Sequence, residues 1–580
     1  MTSKSEKSPI EHIRHSLAHL LAAAVMELWP DAKRAIGPAI ENGFYYDFQF
    51  SKPISDADLP KIEKKMRQIL PTWDKFEKHE LSAAAAKKEY PDNPFKHELI
   101  DEFAVTDKKL SFYKSGNYWD LCRGGHVESA KEIIPDAFKL THLAGAYWRG
   151  SEKNPMLTRI YGLAFGAKKE LDEYLKMVEE AKKRDHKKLG PELELFMFHE
   201  TAPGMPYWLP KGVAIYNELV NFWREEHAGR GYQEIVSPLI NKKELYVTSG
   251  HFEHYWADMF TIKTDEGEYG IKAMNCPNAM IVFGSKLRSY NDLPLRLSDT
   301  DTLHRHERSG TLNGLLRVRE FRQDDAHVFV TEDQIGEEYE EIFKIVERFY
   351  SIFGMKYSFR IGTRPEKFMG EAKTWDKAEK TLENILKKSN TNYEVAKGDG
   401  AFYGPKIDIL MKDTLGREWQ MGTVQLDFQQ PQRFKLEYTD SDGKKKTPVA
   451  IHRVIYGSLE RFIGILIEHF AGAFPLWLAP VQVMVLPISD EQNKYANSII
   501  ENCKLEIENL RIEIDARSES IGKKIREAEK QKIPYMLIVG KKELESKEVS
   551  VRQRGQKDLG SMKFEKFAEK LRKEIETKLI

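Results

Sequence analysis

Apolar residues recur at helical spacing near the start of the chain. Ile13, Leu17, Leu20, Leu21 and Ala24 predict a helix over 12–28. A strand-like run follows, Gly43-Phe44-Tyr45-Tyr46-Asp47-Phe48, and 58–70 reads as a charged amphipathic helix. Up to about residue 165 short strands mix with turns at Gly116, Gly124-Gly125 and Gly145, which predicts one α+β domain over 1–165. Residues 166–190 are mostly helix formers of both charges, with Leu171, Tyr174, Leu175 and Val178 on one face. They predict a linker helix that Gly190-Pro191 stops. The largest block, 191–480, alternates helices with strands such as 232–236 and 406–411. From 481 the pattern is regular. Strands at 481–488, 511–515, 534–540 and 549–552 alternate with helices at 491–509, 519–532 and 561–578. That predicts a small, mostly parallel α/β domain over 481–580.

Composition narrows the class. The chain has 580 residues, and 90 basic side chains balance 90 acidic ones. It is therefore not basic throughout, and any nucleic-acid contact must be a local patch. Apolar residues at 41 % suffice for several cores. Three cysteines, Cys122, Cys276 and Cys503, exclude a disulfide scaffold and fit a reducing compartment. The apolar region 462–487 is interrupted by Glu468 and His469, so it falls short of the roughly 20 uncharged residues a span needs. The run from Leu20 to Met26 is not a signal peptide, because Glu6 and Glu11 precede it and Trp29-Pro30 follows. These features read as a cytoplasmic protein with no membrane partner. The phosphate loop GxxxxGK[ST], GxGxxG after a strand, GxSxG, HExxH and CxxC are all missing. A nucleotide would have to be held another way.

The central block supplies one. Arg305-His306-Glu307 precedes a Gly-containing stretch and then Leu316-Arg317-Val318-Arg319-Glu320-Phe321-Arg322. Further on comes Tyr456-Gly457-Ser458-Leu459-Glu460-Arg461-Phe462-Ile463-Gly464. A long helix over 213–227 leads to a strand and Ser237-Pro238. In this order the three segments resemble the signature motifs of class II aminoacyl-tRNA synthetases, which hold ATP on an antiparallel sheet. The first of these motifs forms that family's dimer interface, so the resemblance implies a homodimer through the catalytic domain. It also implies that Arg305 holds the α-phosphate and Arg461 the phosphate end of the nucleotide, with magnesium on the phosphates. Arg317 belongs to the same ATP site, Glu307 binds the adenine edge and Phe321 stacks on the ring. Fixed guanidiniums suit this chemistry because charge crowds at phosphorus as the carboxylate attacks.

Other segments sharpen the resemblance. Met274-Asn275-Cys276-Pro277, Gln323-Asp324-Asp325-Ala326-His327, Ala401-Phe402-Tyr403-Gly404-Pro405-Lys406, Thr423-Val424-Gln425-Leu426-Asp427-Phe428 and Ile451-His452-Arg453 are similar to threonyl-tRNA synthetases. The implied function is a threonine–tRNA ligase. It forms threonyl-adenylate, transfers threonine to tRNA(Thr) and hydrolyses mischarged seryl-tRNA(Thr). In that family Cys276, His327 and His452 would bind one zinc ion per subunit. Spacing alone does not show this, and taken alone Cys276 reads as a small buried hydrophobe and His452 as a core histidine. Gln323, Asp325, Tyr403 and Gln425 would line the threonine pocket, with Asp325 on the amino group. His251 matches a histidine implicated in aminoacyl transfer. A three-ligand zinc leaves positions open for an amine and a hydroxyl, so valine is rejected at binding. Serine lacks only a methyl, worth about 1–3 kcal/mol, so a second, proofreading site is needed.

The N-terminal block fits that need. His15 and His19 lie one helical turn apart, and Cys122 and His126 flank a glycine pair. As a bare ligand set these four suggest zinc. The resemblance implies an editing site instead, with Tyr46 and Asp120 nearby, a positioned water and no required metal. The C-terminal block resembles the anticodon-binding domain of the threonyl, prolyl, histidyl and glycyl enzymes. Arg526, Glu543 and Arg552 fall where that family reads the anticodon bases. Bacterial members usually begin with a ubiquitin-like domain, and here the editing helix starts by residue 12, so that domain is expected to be missing. The expected fold is therefore α+β and multidomain: editing domain 1–165, linker 166–190, class II antiparallel-sheet catalytic domain 191–480, and α/β anticodon-binding domain 481–580. Two rivals remain, a prolyl or seryl relative and a non-catalytic RNA-binding regulator.

Overall fold

The computed structural model describes residues 8–389, 391–413, 416–555 and 557–578. It divides into two compact units, Met1–Glu179 and Glu180–Ile580. The division falls inside the expected linker.

In the first unit the helix Pro9–Leu28 is buried almost all round between Ser16 and Val25, as its long apolar run requires. Pro9 opens it, and the Glu11 carboxylate accepts the Ser8 N–H at 2.7 Å. It packs with the helix Leu59–Ile69 and an antiparallel sheet ordered Lys33–Arg34, Gly43–Gln49, Met156–Ala164, Phe138–Tyr147. A second antiparallel sheet, Glu77–Leu81, Leu110–Ser115 and Tyr118–Leu121, joins the helix Pro94–Thr106 around its own core.

The expected linker helix is two helices, Lys168–Arg184 and His186–Glu192. Asp185 breaks it by accepting the Lys187 N–H at 2.8 Å as an N-cap. Gly190-Pro191 does not stop the helix but lies within the second one. A Cβ at Gly190 would sit 2.2 Å from the Phe196 ring, so close packing selects this glycine.

An eight-stranded sheet organises the second unit. Its order is Gln233–Glu234, Leu295–Asp299, Asp325–Val330, Val449–Val454, Glu418–Asp427, Lys406–Lys412, Lys356–Gly362, Tyr393–Ala396. The six inner strands pair antiparallel, and the two outermost pairings are parallel. Helices Pro210–Ala228, Ile335–Ser351 and Leu459–Phe470 bury their apolar faces in its main core.

The C-terminal sheet is ordered Ile512–Ile514, Val483–Pro487, Tyr535–Val539, Glu548–Gln553, Lys557–Lys563. The first three strands are parallel and the last two antiparallel, so "mostly parallel" describes only its first half. The strand Lys557–Lys563 replaces the beginning of the expected closing helix, which starts at Phe564. Its pairing with Glu548–Gln553 outweighs local helix propensity. No helix among the described residues is long and apolar enough to cross a membrane.

Candidate functional site

Strand register assembles the central site. His327 lies directly across from His452, and His452 directly across from Gln425, on three adjacent strands. Directly opposed residues share a face, and period two adds Asp325 and Thr423 to it. Cys276 enters at the first turn of the helix Cys276–Gly284. The ligand atoms of Cys276, His327 and His452 lie within 4.8 Å of one another, and all three residues are buried. Burial pushes the Cys276 thiol well above its ordinary pKa and drives the His327 imidazole well below its own. His327 Nδ1 is buried without a hydrogen-bond partner. Asp427 takes His452 Nε2 at 2.9 Å, and its other oxygen accepts the Gln429 and Gln430 N–H groups.

These residues line a cavity of about 320 Å³ together with His251, Arg305, Gln323, Asp325, Tyr403 and Gln425. Burial pushes the Asp325 carboxyl up to about 6, against the Asn275 amide that donates to it at 3.0 Å. The Tyr403 hydroxyl donates to the Gln425 side-chain carbonyl. His251 is buried, its Nδ1 2.8 Å from Ser249 Oγ and its Nε2 3.9 Å from Cys276 Sγ. Burial, then the neighbouring His452, lowers its pKa to about 3. His251 is thus a pocket residue.

Of the three expected arginines, Arg305 lines the same cavity, and Arg317 and Arg305 both act electrostatically on Arg461. The hairpin of Thr302–His304 with Glu320–Arg322 presents the loop between Arg305 and Arg319. The Arg305 guanidinium lies over Phe321 at 5.0 Å and donates to the Ala273 carbonyl. Phe321 is buried with Leu303 and Val318. Glu307 pairs with Arg317 at 2.8 Å. Arg461 stands in the first turn of Leu459–Phe470, where the Ser458 hydroxyl caps its N–H at 3.2 Å. It does not pair with Glu460, whose carboxylate instead accepts the Arg322 N–H at 3.0 Å. Arg461 donates to the Leu316 carbonyl at 2.9 Å. Burial, then Arg317 and Arg305, pull its pKa down.

The first unit holds a second cluster. His15, His19, Cys122 and His126 bring their ligand atoms within 4.8 Å of one another. Cys122 Sγ is 3.4 Å from His15 Nε2 and 3.3 Å from His126 Nε2. His15 Nδ1 meets the Gly125 carbonyl at 3.2 Å, so it carries the proton and leaves the Nε2 lone pair facing the thiol. His126 is sandwiched between the rings of His15 and Phe76. Gly124 and Gly125 both take positive φ, which the turn around this cluster requires. A cleft of about 840 Å³ opens beside Cys122 and the two glycines. Tyr46 hydrogen-bonds to Asp120, and Asp120 interacts electrostatically with His19 of the cluster. Tyr46 and Asp120 form a buried network behind it, in which Asp120 accepts from Tyr46, from Tyr90 at 2.6 Å and from Tyr118 at 3.0 Å. Lys96 at 2.9 Å and Arg34 at 3.3 Å supply the countercharge.

Three family descriptions match parts of the chain. Residues 255–470 match "tRNA synthetase class II core domain (G, H, P, S and T)", 482–574 match "Anticodon binding domain", and 110–161 match "Threonyl and Alanyl tRNA synthetase second additional domain". The threonine–tRNA ligase of Caldanaerobacter subterraneus subsp. tengcongensis is 53 % identical over 98 % of this chain and 87 % of its own length. That of Acetivibrio thermocellus is 51 % identical over 97 % of this chain and 88 % of its own. The chain belongs to the threonine–tRNA ligase family. A solved structure described as the RNA binding domain of threonyl-tRNA synthetase from Cryptosporidium parvum covers 67 % of this chain and 98 % of its own, at 40 % identity and a TM-score of 0.65.

In this member of the threonine–tRNA ligase family the segment matched as anticodon-binding carries its three expected residues on three different elements. Arg526 is exposed on the helix Ile521–Lys530, and Arg552 is half-buried on Glu548–Gln553 with its Nε unpaired. Glu543 accepts the Gly540 N–H at 2.9 Å and so caps its own helix. Sequence reasoning missed Asp427, Asn275 and Arg453. The first two orient His452 and Asp325, and Arg453 is buried beside His227 and the Asp324 carbonyl. Each stands inside or beside a recognised motif, but only the folded sheet shows what it holds.

Proposed function

We propose that the chain activates L-threonine with ATP, transfers it to tRNA(Thr), and clears mischarged seryl-tRNA(Thr) at the N-terminal cluster. The observation that carries the synthetic half is the buried Cys276–His327–His452 set in one cavity with Asp325 and Arg305.

The donor set fits zinc: one thiol and two imidazoles, His327 Nδ1 without a partner, and Asp427 orienting His452. Bound there, zinc would act as a Lewis acid ligating the amine and hydroxyl of threonine. Asp325 takes the amino group, its charge held in place by Asn275. Tyr403 and Gln425 close the pocket around the side chain. On the ATP side, Arg305 and Arg461 draw the phosphate oxygens, with Mg2+ on the phosphates. Arg317 and Arg305 both repel the Arg461 guanidinium, and an anion beside it relieves that repulsion. Glu307 meets the adenine edge, and Phe321 backs both adenine and Arg305. His251, which lines the same cavity, serves the transfer step.

At the second site the His15 Nε2 lone pair and the Cys122–His126 pair orient a water towards a seryl ester. The same donor set also favours a second reading, zinc at this cluster, which metal analysis of a His15→Ala, His19→Ala variant separates. Residues 1–165 then serve editing, 191–480 activation and 481–580 the anticodon, read by Arg526, Glu543 and Arg552. Homodimerisation is part of this reading. It is supported by exposed apolar residues around the first motif, Val213, Val236, Leu239 and Ile240.

The test is amino-acid-dependent ATP–pyrophosphate exchange with threonine, serine, valine and proline, with and without a zinc chelator. Exchange strong with threonine, weaker with serine, nil with valine and lost on chelation supports the reading. Exchange with proline, or with none of them, overturns it.

A further inference from the structure

Asp185, His186 and Glu468 form a third group of close ligand-type atoms. It is not a metal site, because both nitrogens of the buried His186 are already in use. Its Nε2 accepts the Leu315 N–H at 3.0 Å, so that nitrogen carries no proton. Its Nδ1–H therefore donates to Glu468 at 2.7 Å. Glu468 is itself gripped by Arg417, and also accepts the His186 N–H at 3.3 Å. The tautomer is thus fixed, and a rigid ion-paired base holds the ring from behind.

What the ring holds in front is the loop that serves the nucleotide site. Leu316, next to Leu315, lends its carbonyl to Arg461, and Arg317 follows with its pair to Glu307. The loop is closed on itself by Asn313 N–H to Arg317 O at 3.1 Å and Leu316 N–H to Asn313 O at 2.9 Å, so it moves as one piece. Lys187 adds a bond to the Asn313 side chain at 3.1 Å. Gly314 has φ +50°, and a Cβ there would lie 2.2 Å from His186 Nε2. The helix Leu459–Phe470 also packs closely, since a Cβ at Gly464 would meet Leu315 at 3.1 Å. Both glycines are the cost of bringing loop, imidazole and helix together.

We propose that His186 is a positioning residue for ATP. By tethering Leu315 it fixes the 313–317 loop at the height that sets Arg461 and Arg317 on the nucleotide. This rests on the proposed ATP site. The two nitrogens can be tested separately. In His186→Gln the side-chain carbonyl can replace Nε2 and keep the Leu315 tether, while the donor to Glu468 is lost. In His186→Asn the amide can replace Nδ1–H, and the tether is lost.

The experiment is ATP–pyrophosphate exchange with ATP and threonine varied in turn, on full-length protein whose melting temperature is measured alongside. His186→Asn is expected to raise the KM for ATP about tenfold, the scale of one lost buried hydrogen bond. The KM for threonine should stay unchanged, and His186→Gln should restore that for ATP. Gly314→Ala, which pushes the loop off the ring with every side chain intact, should reproduce the His186→Asn effect if that variant fails to fold. An unchanged KM for ATP in both His186→Asn and Gly314→Ala overturns the proposal, as does an equal rise for threonine. Arg461→Ala is the control. If it also leaves the KM for ATP unchanged, the ATP site itself is wrong. If it alone raises that KM, only the tether is wrong.

Discussion

Asp120 offers the sharpest test of the buried network behind the N-terminal cluster. It is 1 % exposed and accepts from three tyrosine hydroxyls, with Lys96 and Arg34 as countercharges. In Asp120→Asn the shape is kept, but two buried cations lose their anion and the new NH2 faces donors. Breaking one member of a buried charge pair costs about 3–5 kcal/mol. For a unit of 150–250 residues each kcal/mol is about 2–4 °C, so its melting transition should fall by about 6–20 °C. Calorimetry of the full chain reads this as one transition moving while the other stays. Burial raises the Asp120 pKa, but Lys96 and Arg34 outweigh it and hold the carboxyl well below the usual range. A depressed carboxylate stabilises above its unfolded pKa and loses that contribution as pH falls. The gap between wild type and variant should therefore be constant from about pH 5.5 to 8 and shrink below about pH 4. A fall under about 2 °C at pH 7, or a gap that widens on acidification, would refute the network as a charge-dependent support.

Other outcomes follow from the same geometry. His19→Ala and Cys122→Ala should abolish deacylation of seryl-tRNA(Thr) while leaving threonine activation unchanged; equal loss of both would place these residues in folding instead. Asp427→Asn removes the carboxylate that orients His452, and should lower bound zinc by about 10–100-fold in affinity, read by metal titration. Glu307→Gln frees Arg317 and should raise the KM for ATP several-fold with the threonine value unmoved. Val236→Asp, at a residue 85 % exposed, should shift sedimentation towards monomer; an unaltered profile would remove this patch from the interface.

The order of elements and the family were legible in the sequence because the motifs are local. Arg305-His306-Glu307 and Tyr456–Gly464 can be read without knowing any contact. The helix at 12–28 was legible because an apolar run of that length has a single period. The break at Asp185 was not, since its capping aspartate sits in a run of polar helix formers that reads as one helix, and the His186 contact to Glu468 that accompanies the break lies far away in the chain. The strand Lys557–Lys563 was hidden for the same reason, as its partner supplies the pairing that its own propensity does not. Tyr46 and Asp120 were recognised as residues of the N-terminal site, yet their place behind the Cys–His cluster is a product of packing. The spacings of 51 and 125 residues between Cys276, His327 and His452 carry no signal, because strand register joins the two histidines and a helix start brings Cys276 to them.

That last feature has a consequence for how such a site endures. His327, His452 and Gln425 owe their convergence to rungs of one ladder, and a slip of one residue would turn each to the opposite face. Chain length between the rungs is, by contrast, unconstrained. Connections between these strands can be lengthened without moving a donor atom, provided the hydrogen-bonded rungs survive. The centre is thus tolerant of insertions over long stretches and intolerant of a single deletion inside a strand. Transplanting it into another antiparallel sheet would require copying three rungs and one helix start, and none of the chain between them.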